Sequence, residues 1–209
     1  STVASGQTSA FVGSKDVVLF PSITDVAGVN RISQVIFSRA AGAICGMVRA
    51  KLPESGDERP IIVASMFGNT TDCINQAKVI LEEAGYEVLV FHATGNGGQA
   101  MESLIDDGLI AGVLDITTTE LADELVGGIL SAGPDRLTAA GLRGIPQVIS
   151  VGATDMVNFG PPADVPSRFP DRLFYEHNPT VTLMRTTVEE NRRLGQQIAQ
   201  RAAIATGPT

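Results

Sequence analysis

Basic residues are scarce in this chain. Lys and Arg total 15 against 23 Asp and Glu, a formal net charge of −8, and no cluster of Lys or Arg breaks the pattern. A surface for a phosphate backbone needs such a patch, so the balance argues against a nucleic-acid partner. Charged residues of both signs make up only 18% of the chain. Cysteine is limited to Cys45 and Cys73, both inside predicted helices, a usage that fits a reducing cytoplasm better than a disulfide scaffold. No apolar run is long enough to span a bilayer, and no basic-then-apolar leader opens the chain, so a cytoplasmic protein without a membrane partner is expected. The opening STVASGQTSAFVGSKD is rich in Ser, Thr and Gly and has no initiator Met, which suggests a fragment cut from a longer protein. Several catalytic signatures are also missing. There is no G-x-S-x-G elbow or Ser-His-Asp order for a nucleophilic hydrolase, and no HxH or HExxH spacing to fix two metal ligands on one element. No internal repeat is visible.

What remains is enough for a sizeable core: 209 residues, 44% hydrophobic, with 22 glycines to make tight turns. The chain is organised around residues 61–71, IIVASMFGNTT, an apolar run that breaks at Gly68 into a polar turn and opens a helix. Three later segments repeat that plan: VLVFHATGNGG, GVLDITTTE and QVISVGATDMVNF. Strands are expected at 16–20, 61–66, 86–92, 111–116 and 147–151, with a short sixth at 173–176. After an irregular lead-in over 1–15, a long helix follows Asn30, its buried face written by Val29, Ile32, Val35, Ile36, Ala43, Ile44 and Met47. Further helices are expected at about 71–84, 98–107, 118–130 and 134–142. A last one opens at Thr187, where Thr187 and Glu190 have capping-box spacing. Residues 51–60 form a polar loop, and the proline-rich stretch 160–171 a surface loop.

Near-continuous apolar strands alternating with helices predict an α/β fold with a doubly wound, mostly parallel sheet, a Rossmann-like or flavodoxin-like three-layer sandwich of five to six strands. A single lobe is expected over 1–209. Right-handed crossovers place every strand-to-helix turn on the carboxyl edge of the sheet, where open α/β folds bind ligands.

Candidate site residues follow from that edge. Gly68, Asn69, Thr70 and Thr71 offer a close backbone approach, amides and hydroxyls to a phosphate or carboxylate at a helix start; Thr70 or Thr71 equally reads as a helix cap. The turn lacks the Lys of a P-loop. In the turn from His92 to Gly98, Thr94, Gly95, Gly97 and Gly98 suggest that a ligand, not a side chain, fills the space, although only G-x-G of the dinucleotide fingerprint is present. His92 is a base, a ligand or a structural hydrogen-bond donor. Asp115 stands at a strand end as a carboxylate for a ribose hydroxyl or a metal-bound water, followed by Thr117, Thr118 and Thr119. Glu120 reads first as the capping-box partner of Thr117. Asp155 and Asn158 come from the next turn, and Glu176, His177 and Asn178 from the last. His92 and His177 with Asp115, Glu120 or Asp155 would make a two-His, one-carboxylate metal site. Cys73 reads as a small buried residue, or as a thiol with lowered pKa in a first helical turn. The small-residue run RAAGAICG fits a subunit contact in a homo-oligomer or packing within the domain.

Several segments in order complete the reading: STVASG, AGVNRI at 27–32, FGNTT, VFHATGNGG, LDITTTELADEL, SAGPDRL, DMVNFG and HNPTVTLMRTT. Together they resemble the second half of the tomato mosaic virus resistance protein-like ATP-binding family, over nearly the whole chain. The resemblance implies a two-lobed α/β protein associated with ATP, with magnesium as a possible companion. It further implies that the partner amino-terminal lobe is absent here, and that the plant member inhibits viral replication proteins. It implies no catalytic residues. Three functions are therefore expected to compete. One is a lobe binding ATP or a related phosphate-bearing ligand. Another is an enzyme on a small carboxylate or sugar-like metabolite using His92, Asp115, Asp155 and His177. The third is a protein–protein interaction module.

Overall fold

The computed structural model describes residue 4, residues 6–51, residue 56 and residues 58–209. They group into two compact units, Ser1–Glu58 and Arg59–Thr209. Half of the polar loop expected at 51–60 lies outside the described residues.

The first unit holds a single helical turn, α1 (Ser9–Val12), and the long helix α2 (Arg31–Arg49). Asn30 starts α2 as the sequence suggests: its Oδ1 accepts the amides of Ile32 and Ser33 at 2.9 Å each, and Ser33 Oγ accepts the Asn30 N–H at 2.8 Å. Two expectations fail here. Residues 16–20 are not a strand: Val17 and Val18 are 49% and 56% exposed, and no described strand pairs with them. An apolar run becomes a strand only when a neighbouring backbone takes up its N–H and C=O groups. The apolar face of α2 is also uncovered, since Val29, Ile32, Val35, Ile44 and Met47 are all exposed.

In the second unit β1 (Ile61–Met66), β2 (Glu87–His92), β3 (Gly112–Thr117) and β4 (Gln147–Gly152) form a parallel sheet in the order β2-β1-β3-β4. This is the expected α/β architecture. Successive side chains of β1 feed opposite faces. Val63 joins Met101, Ile105, Val113 and Ala140 on one side, under α4 (Asn96–Asp106) and α6 (Ala139–Arg143). Ala64 joins Ile74 and Val88 on the other, under α3 (Thr71–Glu83). From β1 the chain moves to β2 on one side and returns to β3 on the other. The topological switch point, where open sheets part their loops, therefore lies between β1 and β3.

Three later strands leave this sheet. β5 (Met156–Phe159), β6 (Phe174–Asn178) and β7 (Val181–Arg185) form an antiparallel sheet in the order β5-β7-β6. The short sixth strand expected at 173–176 exists, but pairs here as an antiparallel edge; β5 and β7 are additions to the expected set. Val157, Phe159 and Met184 from this sheet pack with Leu121 of α5 (Thr119–Val126) and Leu194 of α7 (Val188–Ala203). The expected cap of α7 is present in both directions: Glu190 N–H donates to Thr187 Oγ1 at 3.1 Å and Thr187 N–H to Glu190 Oε2 at 2.7 Å. Pro134 does not start a helix; α6 begins only at Ala139.

Candidate functional site

The loops of the carboxyl edge meet the second sheet around a cavity of about 420 Å³. Gly68 and Asn69 reach it from the 3-10 turn Gly68–Thr70 that leads into α3, and His92 from the end of β2. Thr119 comes from the first turn of α5, and Asp155 and Asn158 from the β4–β5 hinge and β5. His177 of β6 closes the far side, and Phe67, Met156, Val181 and Leu183 give apolar wall. Both histidines of the chain thus line one cavity, but only His92 does so from the end of a parallel strand; His177 comes from within the antiparallel strand β6. Ala153 also lines it, with φ 58°, a left-handed conformation that costs an L residue about 1–2 kcal/mol and points to a constrained rim.

The polar groups around the cavity are tethered. Phe67 N–H donates to Thr70 Oγ1 at 2.9 Å, and Thr71 Oγ1 donates to the Phe67 carbonyl at 3.0 Å. These two hydroxyls therefore turn back on the loop and leave Gly68 and Asn69 at the cavity. The His92 ring leans on Phe67, centroids 5.8 Å apart. Asp155 is ion-paired with Arg185 at 2.9 Å on the half-exposed rim. Asn158 Nδ2 donates to Asp123 Oδ2 at 2.8 Å, and its backbone N–H to Asp123 Oδ1 at 3.1 Å. Burial pushes the Asp123 carboxyl up to about 6, against the hydrogen bonds from Asn158 and Leu130. Asn178 is not among the lining residues; it ends β6, where its Oδ1 accepts the amide of Thr180 at 2.9 Å. Glu176 is exposed.

Beside the cavity, and closed off from it, is a buried ionic knot centred on Arg136, whose side chain is 0% exposed. Its Nη1 and Nη2 donate to the two oxygens of Asp115 at 2.5 and 2.7 Å, and its Nε to Glu120 Oε2 at 2.7 Å. Nη1 also reaches Glu102 Oε1 at 3.1 Å. Ser65 Oγ donates to Asp115 Oδ1 at 2.6 Å and accepts the Thr117 amide at 2.8 Å. Thr117 Oγ1 lies 2.7 Å from Thr70 Oγ1, and Thr118 Oγ1 donates to the Ser150 carbonyl at 2.8 Å. Burial opposes the charge of Arg136, but Asp115, Glu120 and Glu102 outweigh it and hold the guanidinium firmly protonated. For Glu120 burial raises the pKa, against Arg136 and two amides.

Those two amides account for the glycine-rich turn. Gly95 and Gly98 N–H donate to Glu120 Oε1 at 2.7 and 3.1 Å. The space above the turn is filled by a carboxylate of the chain itself, where the sequence suggests a ligand. A Cβ on Gly98 would run into that carboxylate, and one on Gly97 into the His92 carbonyl. Thr94 Oγ1 donates to the same carbonyl at 3.3 Å. Glu120 therefore neutralises the start of α4 instead of capping its own helix with Thr117; α5 has no side-chain cap. Glu102 does the same work at the start of α6, accepting the amides of Leu137, Thr138 and Ala139.

The cavity therefore brings together His92, His177, Asp155, Asn158, Gly68, Asn69 and Thr119. Asp115 and Gly95 to Gly98 belong to the knot, together with Thr117, and Thr118 is held by the backbone of β4. No group of three His, Cys, Asp or Glu able to hold a metal occurs among the described residues. Sequence reasoning passes over Arg136, Glu102 and Asp123. Their only local signal is the loop SAGPDRL for Arg136 and, for Asp123, an acidic residue on the buried side of α5. Cys45 and Cys73 are free thiols, and Cys73 is exposed where the sequence suggests a buried residue. No helix of the described residues is long and apolar enough to cross a membrane.

Fold and cavity define an open parallel α/β lobe with a pocket at its topological switch point. The chain belongs to the family described as "Uncharacterised protein family (UPF0261)": residues 59–209 match its C-terminal domain and residues 1–53 its N-terminal domain. The boundary coincides with the division between the two units. A UPF0261 protein of Clostridium tetani is 57% identical over 96% of this chain and 50% of its own length. One of Mesorhizobium japonicum is 50% identical over 100% and 52%. The ToMV resistance protein Tm-1(GCR237) of Solanum lycopersicum is 51% identical over 96% of this chain and 27% of its own. The resemblance to the tomato resistance protein family is thus borne out. The chain spans about half the length of the bacterial relatives it matches.

Proposed function

We propose that residues 59–209 form a cytoplasmic ligand-binding lobe whose cavity takes ATP or a related phosphate-bearing small molecule. The observation that carries this reading is the unequal treatment of two helix starts on the carboxyl edge. At α4 the positive end is neutralised internally by Glu120. At α3 Gly68 and Asn69 line open space, with no carboxylate of the described residues bonded to them and two imidazoles lining the same cavity. Amides at a helix start, together with imidazole N–H donors, suit phosphate oxygens. Phe67, Met156, Val181 and Leu183 offer a face for a flat or apolar body, and the volume lies within the range of small-molecule sites. The described residues do not make a dedicated magnesium site: the one carboxylate among those that line the cavity, Asp155, is already paired with Arg185. Magnesium would enter on the phosphates of the ligand.

We further propose that the uncovered face of α2 is the inner face of an amino-terminal lobe. The match of 1–53 to the N-terminal domain and the greater length of the relatives support this. A second reading, acid–base chemistry on a small carboxylate or sugar-like metabolite, is favoured by the placement of His92, His177 and Asp155 in one cavity.

Calorimetric titration of ATP with magnesium, into this chain and into a full-length family member, tests the leading reading. Saturable binding is expected, weakened about tenfold by His177→Ala or Asn69→Ala. No heat and no thermal shift in either protein removes the nucleotide assignment. Turnover on a candidate metabolite that survives His177→Ala unchanged removes that residue from the second reading.

A further inference from the structure

Asn158 is a deeply buried polar residue of the cavity wall: it is 2% exposed and lines the cavity beside Thr119. Its two ends are not equivalent. Nδ2 donates to Asp123 Oδ2 at 2.8 Å and lies 3.5 Å from Thr119 Oγ1, while the Asn158 backbone N–H is held by the other Asp123 oxygen. An ionised carboxylate only accepts, so Asp123 decides the orientation of the carboxamide and takes its donor end. Among the described residues no donor bonds the carbonyl end, Oδ1, which is not sealed off but open to the cavity. An acceptor open to the cavity is served by water, and a ligand that puts a donor there keeps that hydrogen bond while one that cannot loses it. Asp123 is itself fixed by the Leu130 amide at 3.2 Å and is 0% exposed, so the arrangement exists before any ligand arrives.

We propose that Asn158 Oδ1 is a specificity-determining acceptor of the cavity, selecting ligands that present an uncharged N–H or O–H donor beside their apolar body, and that Asp123 is its positioning residue. This deepens the reading of the cavity as a nucleotide site and rests on it. On a nucleotide the donor has two sources, the exocyclic amino group of the base or the ribose hydroxyls. A ligand with an acceptor at this point meets carbonyl against carbonyl and is rejected, since sites built to receive a donor discriminate strongly against analogues without one.

The test is a competition series on the intact protein with ATP, purine riboside triphosphate (no amino group), 2′,3′-dideoxy-ATP (no ribose hydroxyls) and inorganic triphosphate. One of the two nucleotide analogues is expected to bind about tenfold or more weakly than ATP, which also identifies the source of the donor. Asp123→Asn frees the carboxamide to flip, and the ratio between ATP and that analogue is expected to shrink to about twofold; a purely structural loss would weaken both ligands and leave the ratio standing. If both analogues bind as ATP does, the proposal is overturned while the nucleotide reading stands. If inorganic triphosphate matches ATP, the cavity reads only phosphate and the proposal is likewise overturned. If none of the four binds, both fall together. The series needs no variant, so its outcome decides the matter even if Asp123→Asn does not fold.

Discussion

Replacing Arg136 by Met tests the ionic knot directly. The side chains are of similar length, so little cavity is created, but the buried cation is gone. Asp115 keeps the Ser65 hydroxyl and Glu120 keeps two amides; both remain 1% exposed or less. Breaking a buried pair in this way costs about 3–5 kcal/mol. The carboxylates have one escape, which is to take up protons. Moving an Asp of ordinary pKa near 3.9 to its neutral form at pH 7 costs about 4 kcal/mol, so that sets a ceiling for each. We expect a loss of about 4 kcal/mol at pH 7. Each carboxyl that is protonated only in the folded variant reduces the loss by about 1.4 kcal/mol per pH unit on acidification, leaving about 1–2 kcal/mol at pH 5. Urea denaturation of wild type and variant at pH 7, 6 and 5 measures both quantities. A loss below about 1 kcal/mol at pH 7, or one that does not change with pH, would refute the reasoning. Arg136→Lys should rescue little, because a single ammonium cannot serve Asp115 in a fork while also reaching Glu120.

Further outcomes follow from the same geometry. Gly98→Ala drives a methyl group into the Glu120 carboxylate and is expected to cost about 1–3 kcal/mol in denaturant titrations, whereas Gly108→Ala has open space and answers only to its positive φ. Asp123 has a folded-state pKa raised from 3.8 to about 6, so the stability it contributes is fully present below pH 4 and is lost as pH rises through 6. The difference is about 2–3 kcal/mol, and the pH dependence of unfolding should flatten in that window in Asp123→Asn. At Glu190 desolvation is outweighed by Arg172 and by the Thr187 hydrogen bonds, and the pKa is lowered. Its contribution is therefore present above the ordinary Glu range and lost as pH falls, and Thr187→Ala should cost about 1 kcal/mol at neutral pH by urea titration.

Chain order and residue period determined much of this protein on their own. The runs 61–66, 86–92, 111–116 and 147–151 are parallel strands within a residue at either end, because an apolar run between a helix and a glycine turn leaves the backbone few alternatives. Parallel strands put every outgoing loop on one edge, which gathers Gly68, His92 and Thr119 at the cavity; His177 reaches it from the antiparallel second sheet, which no strand period foretells. The cap of α7 was legible for a similar reason, since Thr187 and Glu190 are neighbours on one turn. Tertiary structure decided what no local pattern encodes. The glycines at 95–98 look like a ligand cradle until Glu120, more than 20 residues on, is found in the space above them. Asp115 looks like a free strand-end carboxylate until Arg136 arrives from a loop two elements away. The strands β5 and β7 are short and form by completing each other's hydrogen bonds, with β6 paired on the other side of β7. The apolar stripe of α2 has the period of a buried face, but a period tells only which side is apolar. What covers that side is decided by whatever chain is there to pack against it.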